Sequence, residues 1–326
     1  MPFALFHSVE DCRRYFSGQS KGSVVTIGNF DGVHLGHQKI LQGVVEQARE
    51  VGAQSVAITF NPHPLRALRP MEELRMVVTL EQRIELLRAE GLDAVLVACF
   101  DAALAAKSPR EFVKEFLVDA LRARSVHVGQ NFRFGHRQAG DAAVLSDLGS
   151  EYGFEVKCVD AVVLRGTVVS STAIRTAVGE GRVERAGRLL GRPFSLCGEV
   201  MPGTGTGRRL IVPTLNLSTN NELLPGRGVY VTQTRAGGEW HASATNVGVR
   251  PTFDGRSLSM ESHLFDFDEE LTSGPMEIRF LARLRAEHKF PSAEALREQV
   301  LADLARARRF FLLLDRLRAA SKRQPA

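Results

Sequence analysis

The sequence predicts an α/β fold: an N-terminal doubly wound parallel sheet, then a small antiparallel β-barrel closed by a long C-terminal helix. Three observations carry this expectation. Strand-like and helix-like segments alternate through the first half of the chain. Beyond Arg182 the apolar runs become short strands separated by Gly-, Pro- and Asn-rich turns. The length, 326 residues, exceeds what one hydrophobic core usually carries, so two domains are expected. The division is placed at Gly191-Arg192-Pro193, giving domains 1–190 and 191–326.

In chain order, Ser23–Gly28 reads as a buried strand followed by a glycine-rich turn. A helix is predicted from about Gly36 to Val51, with Ile40, Leu41, Val44, Val45 and Ala48 on one side. Ser55–Phe60 is the next strand, and Thr79-Leu80-Glu81-Gln82 is a capping box opening a helix that ends at Gly91. Ala94–Phe100 is a strand; Ser108-Pro109-Arg110-Glu111 caps a further helix, with Pro109 where a missing N–H costs nothing. Ser125–Gly129 and Glu155–Val159 complete the strand set. This alternation implies right-handed crossovers and ligands beyond the carboxyl ends of the strands. A short helix, Val183–Leu190, precedes the barrel strands Leu196–Val200, Leu210–Leu217, Val229–Thr234, Ala242–Val247, Leu258–Phe265 and Met276–Leu284. An amphipathic helix from about Ser292 to Ala320 is expected to pack across the barrel.

Composition excludes several classes. With 42 Lys and Arg against 37 Asp and Glu, 44% hydrophobic and 24% charged residues, the chain is neither disordered, collagen-like nor a disulfide scaffold. Cys12, Cys99, Cys158 and Cys197 are far apart and form no CxxC, so idle thiols are expected and neither disulfide nor zinc. Met1–Glu10 lacks the features of a signal peptide, and no run approaches the roughly 18 apolar residues of a membrane span. A cytoplasmic protein is expected.

The most informative stretch is Gly28-Asn29-Phe30-Asp31-Gly32-Val33-His34-Leu35-Gly36-His37, directly after the first strand. Two imidazoles three residues apart at a helix N-terminus suit an anion, and Gly32 and Gly36 let backbone approach it. A bare HxGH suits a metal site or a surface coincidence as well as an anion site; the whole frame behind a strand favours the anion site over both. No Ser, Cys or Lys nucleophile accompanies it, and no Walker loop, so direct attack of a substrate phosphate on a nucleotide α-phosphate fits. Ser170-Ser171-Thr172-Ala173-Ile174-Arg175 at a helix start is by itself equally an ordinary Ser/Thr-rich N-cap or a set of hydroxyls, N–H groups and a guanidinium for a leaving pyrophosphate. In the second half, Gly203, Gly205 and Gly207 form a flexible loop before Pro213-Thr214-Leu215-Asn216. Thr214 and Asn216 alternate onto one strand face and supply hard oxygen ligands for Mg²⁺. Asn246-Val247-Gly248-Val249-Arg250-Pro251-Thr252 precedes Glu261-Ser262-His263, and Glu261 in mid-strand suits either a solvent-facing strand residue, the commoner fate, or a carboxylate that accepts a proton from a hydroxyl.

The GxFDGxHxGH frame and SSTxIR resemble the HxGH nucleotidyltransferases. Phe60-Asn61-Pro62-His63-Pro64 and Gly129-Gln130-Asn131-Phe132-Arg133-Phe134-Gly135 are similar to runs lining the flavin and nucleotide pocket of bacterial flavin adenylyltransferases. An acidic residue is common in those enzymes at the positions of Asn61 and Asn131. Asp141 also matches, and it equally suits a helix cap. PTxN, NxGxRPT and ExHLxD resemble the riboflavin kinase module. Together the motifs resemble the bacterial family that joins both activities.

The resemblance implies ATP, riboflavin and FMN as substrates, FAD as product and Mg²⁺ as cofactor. It implies His34 and His37 as catalytic groups and Gly28, Asn29, Phe30, Gly36, Ser170, Ser171, Thr172 and Arg175 around the transferred phosphates. Asn61, His63 and Asn131 would line the flavin or nucleotide pocket. In the kinase half it implies Gly203, Gly205, Gly207 and Asn246 for ATP, Thr214 and Asn216 for Mg²⁺ and Glu261 as base. Pro202, Ile211-Val212 and Thr272-Ser273 depart from the usual His, Gly-Phe and Tyr-Gly; adenylyl transfer alone, beside a weakened kinase, is the alternative they leave. Two other readings are weaker: adenylylation of a different small phosphate, and a nucleic-acid module suggested by the net charge of +5. Small-molecule partners, no nucleic acid, no membrane, and a monomer or weak self-association are expected.

Overall fold

The computed structural model describes residues 3–18, 21–68, 71, 73–201, 212–252, 255–269 and 271–321. It divides into two compact units, Met1–Ser171 and Thr172–Ala326.

The first unit is built on strands β1 (Ala4–Phe6), β2 (Ser23–Ile27), β3 (Gln54–Asn61), β4 (Ala94–Cys99), β5 (Ala123–Gly129) and β6 (Glu155–Val159), in the order β1-β4-β3-β2-β5-β6. All pairings in this sheet are parallel. β2 is buried along its whole length, as expected of a strand covered on both faces. Its alternating residues feed two cores. Val25 and Ile27 join Val56, Ile58, Leu96, Phe116 and Leu145 on one face. Val24 joins Ala57, Val95, Leu41, Val44 and Leu87 on the other.

The helices covering these faces are α1 (Val9–Ser17), α2 (Leu35–Val51), α3 (Pro64–Leu68), α4 (Leu80–Ala89), α5 (Ala102–Ala106), α6 (Pro109–Phe112) and α7 (Ala142–Tyr152). α6 continues into a wider-turned π-helical segment, Val113–Ala120. The capping boxes at Thr79/Gln82 and Ser108/Glu111 form as the sequence predicts. β1 was not legible as an element, because a three-residue edge strand carries too little pattern, and the helix α1 is additional to the expected set. A hairpin of β7 (Val163–Leu164) and β8 (Thr167–Val168) is likewise additional.

In the second unit α8 (Ser171–Gly179, its first residue belonging to the first unit) and α9 (Val183–Leu190) precede a closed six-stranded antiparallel barrel. Its strands are β9 (Phe194–Met201), β10 (Leu215–Thr219), β11 (Gly228–Ala236), β12 (Glu239–Thr252), β13 (Gly255–Leu264) and β14 (Pro275–Ala286), closing in the order β10-β13-β12-β11-β14-β9. Gly191 ends α9 in the left-handed conformation (φ 73°) that glycine adopts without a Cβ penalty. Arg283 ties the helices to the barrel: its N–H donates to Glu184, and its guanidinium donates to the carbonyls of Glu180 and Arg227.

The barrel interior is half apolar and half polar. Phe194, Tyr230 and Phe280 pack together. Beside them Thr232, Ser243, Thr234, Ser262 and Thr245, all fully buried, close a ring of five hydroxyl–hydroxyl bonds of 2.7–2.9 Å. The outer face at Val231 and Ala244 is covered by α10 (Ala293–Ser321) through Leu304, Ala307 and Phe311. Arg285 pairs with the buried Asp303 of α10 at 2.7 Å, fixing the helix along the barrel.

The strand expected from Leu210 starts, among the described residues, at Leu215, so Thr214 stands just before β10 and not on it. All four cysteines are free thiols. No described helix is long and apolar enough to cross a membrane.

Candidate active sites on two units

In the first unit the sheet order reverses between β2 and β5, the switch point where open α/β sheets bind ligands. The turn after β2 carries the histidines. α2 begins at Leu35, one residue earlier than expected, because His34 is itself the N-cap: its Nδ1 accepts the His37 N–H at 3.3 Å. That bond fixes the tautomer of a neutral His34 ring, leaving the proton on Nε2 as a donor. The His34 and His37 rings stack at 3.6 Å and 13°, and Phe30 meets His37 edge-on at 5.2 Å. At Gly36 a Cβ would lie 3.2 Å from the His34 ring, a tight contact that the ring would have to yield to. Burial, then the neighbouring His34 and Arg83, hold His37 well below the usual imidazole range, so it is neutral at pH 7. Its Nδ1 is buried without a hydrogen-bond partner among the described residues.

The turn is strained. Phe30 (φ 47°) and Val33 (φ 39°) occupy the left-handed region without being glycine, at about 1–3 kcal/mol each. Asp31 holds it: buried, its carboxylate accepts the N–H groups of Val77 (2.9 Å) and Val78 (3.3 Å), and its carbonyl accepts the Ser171 hydroxyl at 2.9 Å. Ser171 thereby anchors its segment to the turn through the Asp31 carbonyl. Ser170 and Ser171 belong to the first unit; Thr172 and Arg175 lie on α8 in the second. A Cβ at Gly28 would come 3.0 Å from the Phe30 ring, so the ring packs closely over this backbone.

Around this turn, Asn61 ends β3, exposed, and His63 is buried with Nδ1 accepting the Leu65 N–H at 3.2 Å. Asn131 follows β5, exposed, beside Phe132, which stacks on Phe134 at 5.2 Å. Asp141 is the N-cap of α7, accepting from Ala143 and Val144 at 3.0 Å, so the capping alternative holds for it. Sequence reasoning missed Arg83. Its signal was a charge in the apolar stripe of Leu80, Ile84 and Leu87.

In the second unit, register places Asn216 opposite Glu261 and Glu261 opposite Asn246. The three therefore form one row across β10, β13 and β12, on the strand face opposite the hydroxyl ring. Exposure grades along the row: Asn216 is buried, Glu261 half-buried and Asn246 exposed. The Asn216 Oδ1 is buried with no hydrogen-bond partner among the described residues. An uncompensated amide oxygen beside a hydroxyl-bearing Thr214 is a donor set that suits Mg²⁺. Two residues beyond Glu261, His263 Nδ1 meets the Pro213 carbonyl at 2.8 Å, tying the segment that bears Thr214 to β13. Gly203, Gly205 and Gly207, with Pro202 and Ile211, lie outside the described residues. No cluster of His, Cys, Asp and Glu able to hold a metal occurs among the described residues.

Comparison with known proteins matches these halves separately. A family model described as FAD synthetase matches residues 17–173, and one described as riboflavin kinase matches residues 190–311. The bifunctional riboflavin kinase/FMN adenylyltransferase of Pseudomonas fluorescens is 38% identical over 291 residues, covering 89% of this chain and 93% of that protein. Its counterpart from Escherichia coli K12 is 34% identical over 292 residues, with the same coverage. A crystal structure described as a macrolide-efflux protein from Streptococcus pneumoniae superposes with a TM-score of 0.85 at 29% identity, covering 94% of this chain and 99% of that one.

Proposed function

We infer the assignment of residues to steps from one premise: the chain belongs to the bifunctional riboflavin kinase/FMN adenylyltransferase family. It is accordingly an enzyme of flavin cofactor synthesis, phosphorylating riboflavin with ATP to FMN and adenylylating FMN with ATP to FAD. The observation that carries this is that both halves match, each to one activity. Residues 1–190 are assigned to adenylyl transfer and 191–326 to phosphoryl transfer.

In adenylyl transfer an FMN phosphate oxygen attacks the α-phosphorus of ATP; the bond to the β-phosphate breaks and pyrophosphate leaves. No proton has to be removed from the nucleophile, so the protein supplies position and charge. The α2 N-terminus presents N–H groups, His34 a protonated Nε2, and His37 a neutral ring beneath them. Gly28, Asn29, Phe30 and Gly36 shape the floor; Ser170, Ser171, Thr172 and Arg175 serve the leaving group; Asn61, His63 and Asn131 line the flavin side.

In phosphoryl transfer the riboflavin 5′-hydroxyl attacks the γ-phosphorus, Glu261 takes its proton, and ADP leaves. Thr214 and Asn216 would hold Mg²⁺, supported by the orphaned Asn216 Oδ1. When bound, Mg²⁺ neutralises charge building on the phosphate oxygens. Asn246, with the loop of Gly203, Gly205 and Gly207, is assigned to ATP. Small-molecule partners without nucleic acid, a monomeric or weakly associating state, and a cytoplasmic location complete the proposal.

A product assay on purified enzyme tests the split. His37→Ala is expected to stop FAD formation while FMN still accumulates, and Glu261→Ala to stop FMN formation while supplied FMN is still converted. A single variant that abolishes both reactions in folded protein overturns the two-site assignment.

A further inference from the structure

Arg83 lies on α4, is only 3% exposed, and forms no ion pair among the described residues. One of its nitrogens, Nη1, does all the recorded bonding: to the Asn29 carbonyl at 3.2 Å, the Thr59 hydroxyl at 3.1 Å and the Phe60 carbonyl at 2.9 Å. Thr59 in turn donates to the Asn29 carbonyl at 3.1 Å. Those acceptors sit just past the carboxyl end of β2 and at the end of β3, the two strand ends that carry the histidine turn and the Phe60–Pro64 run. The Nε of Arg83 is buried with no acceptor.

Such an arrangement is costly for stability alone. Three neutral oxygens do not balance a buried guanidinium, and a buried charge is normally paired. Burial pulls the Arg83 pKa down from the usual arginine range, with Asp31 and Glu81 opposing it, and a guanidinium so placed remains a cation. Asp31 and Glu81 attract this cation without forming an ion pair with it, so an anion held in the turn, one bond in front of the guanidinium, adds to its balance.

We propose that Arg83 is a positioning residue for adenylyl transfer: it locks the ends of β2 and β3 into one floor through Asn29, Thr59 and Phe60, and its charge is balanced by the nucleotide phosphates bound above Asn29. The proposal rests on the adenylyltransferase reading of this unit. Arg83 touches no substrate and acts through the backbone it holds.

The test uses the full-length enzyme, with FMN adenylylation and riboflavin phosphorylation measured on the same preparations of wild type, Arg83→Lys and Arg83→Met. Arg83→Met is expected to lower kcat for FAD formation by roughly thirtyfold and raise KM for ATP severalfold, with KM for FMN and the phosphorylation rate nearly unchanged. Arg83→Lys, which keeps the charge and loses the fork, is expected to recover most of the ATP KM and part of kcat. If Arg83→Met does not fold, Arg83→Gln replaces it with the same expectation. Wild-type kinetics in the uncharged variant, or Lys and Met variants impaired alike, overturns the positioning role. Wild-type enzyme that makes no FAD from FMN and ATP overturns the underlying reading instead.

Discussion

The two units solve phosphate chemistry with different parts of their backbones. In the first, the groups proposed to act stand on a strained turn and a helix terminus: His34 is a cap, His37 sits three residues further on, and side chains behind the turn hold it. In the second, they stand in a regular row across three strands, set by register with no strain recorded at Asn216, Glu261 or Asn246. A turn site aims backbone N–H groups, which suits a reaction whose nucleophile is already an anion. A strand site aims side chains, which suits a nucleophile that must lose a proton. What each reaction lacks, charge stabilisation or a base, decides which backbone geometry can host it.

Glu261→Gln breaks the comparison most directly. It removes the proposed base and keeps the shape, and riboflavin phosphorylation is expected to fall by about 10²–10⁴ in kcat while FMN adenylylation is retained. His34→Ala removes both an N-cap and a donor; about 10²–10³ is expected from FAD formation, read as pyrophosphate release from FMN and ATP. Gly36→Ala sharpens the contrast, because a Cβ 3.2 Å from the His34 ring displaces it without deleting any functional atom. Roughly a tenfold loss of FAD formation, with an unchanged kinase rate, is expected.

Stability should separate the units too. Thr234→Val keeps volume and breaks two hydroxyl contacts in the barrel, so denaturant titration followed by Trp240, the sole tryptophan, is expected to show about 1–3 kcal/mol of destabilisation. The smallest effect concerns pH. His127 is pushed down to about 4 by burial and then by Lys157, from an ordinary 6.5, and His37 is held below 6.5 as well. Both are depressed bases, so the unfolded chain takes up protons that the folded first unit refuses. The His127 contribution is complete above pH 6.5 and is lost as pH falls from there towards 4, and that of His37 is lost in the same direction. Thermal melts of the first unit followed by circular dichroism are expected to shift downwards over that window; a flat profile contradicts the neutral assignments.

Much of this was legible before any coordinates, for physical reasons that differ between elements. β2 and α2 announced themselves because a fully apolar strand and a periodic helix leave strong patterns, and the box at Thr79 because two polar side chains satisfy backbone groups at fixed spacing. Register was not legible: nothing in the composition of β10 says that Asn216 faces Glu261, since pairing is settled by contacts between distant strands. His34 as N-cap was missed because histidine is an uncommon cap, and Thr214 was assigned to a strand that, among the described residues, begins one residue later. Arg83 was hidden for a plainer reason. A lone arginine in an apolar stripe looks like a snorkelling surface residue until its neighbours are known.

The hydroxyl ring in the barrel has a consequence for how the sequence is free to drift. Five hydroxyls supply five protons, and five bonds use all of them, so every member donates once and accepts once. The protons circulate in one sense or the other, and both senses are complete. Removing a single member leaves one dangling hydrogen and one dangling lone pair in a space sealed from water, and no neighbour has a spare partner to offer. Exchanges between Ser and Thr keep the circuit closed; every other exchange needs a simultaneous second change. Lineages are thus expected to inherit the five positions as a block, as they would a covalent cross-link.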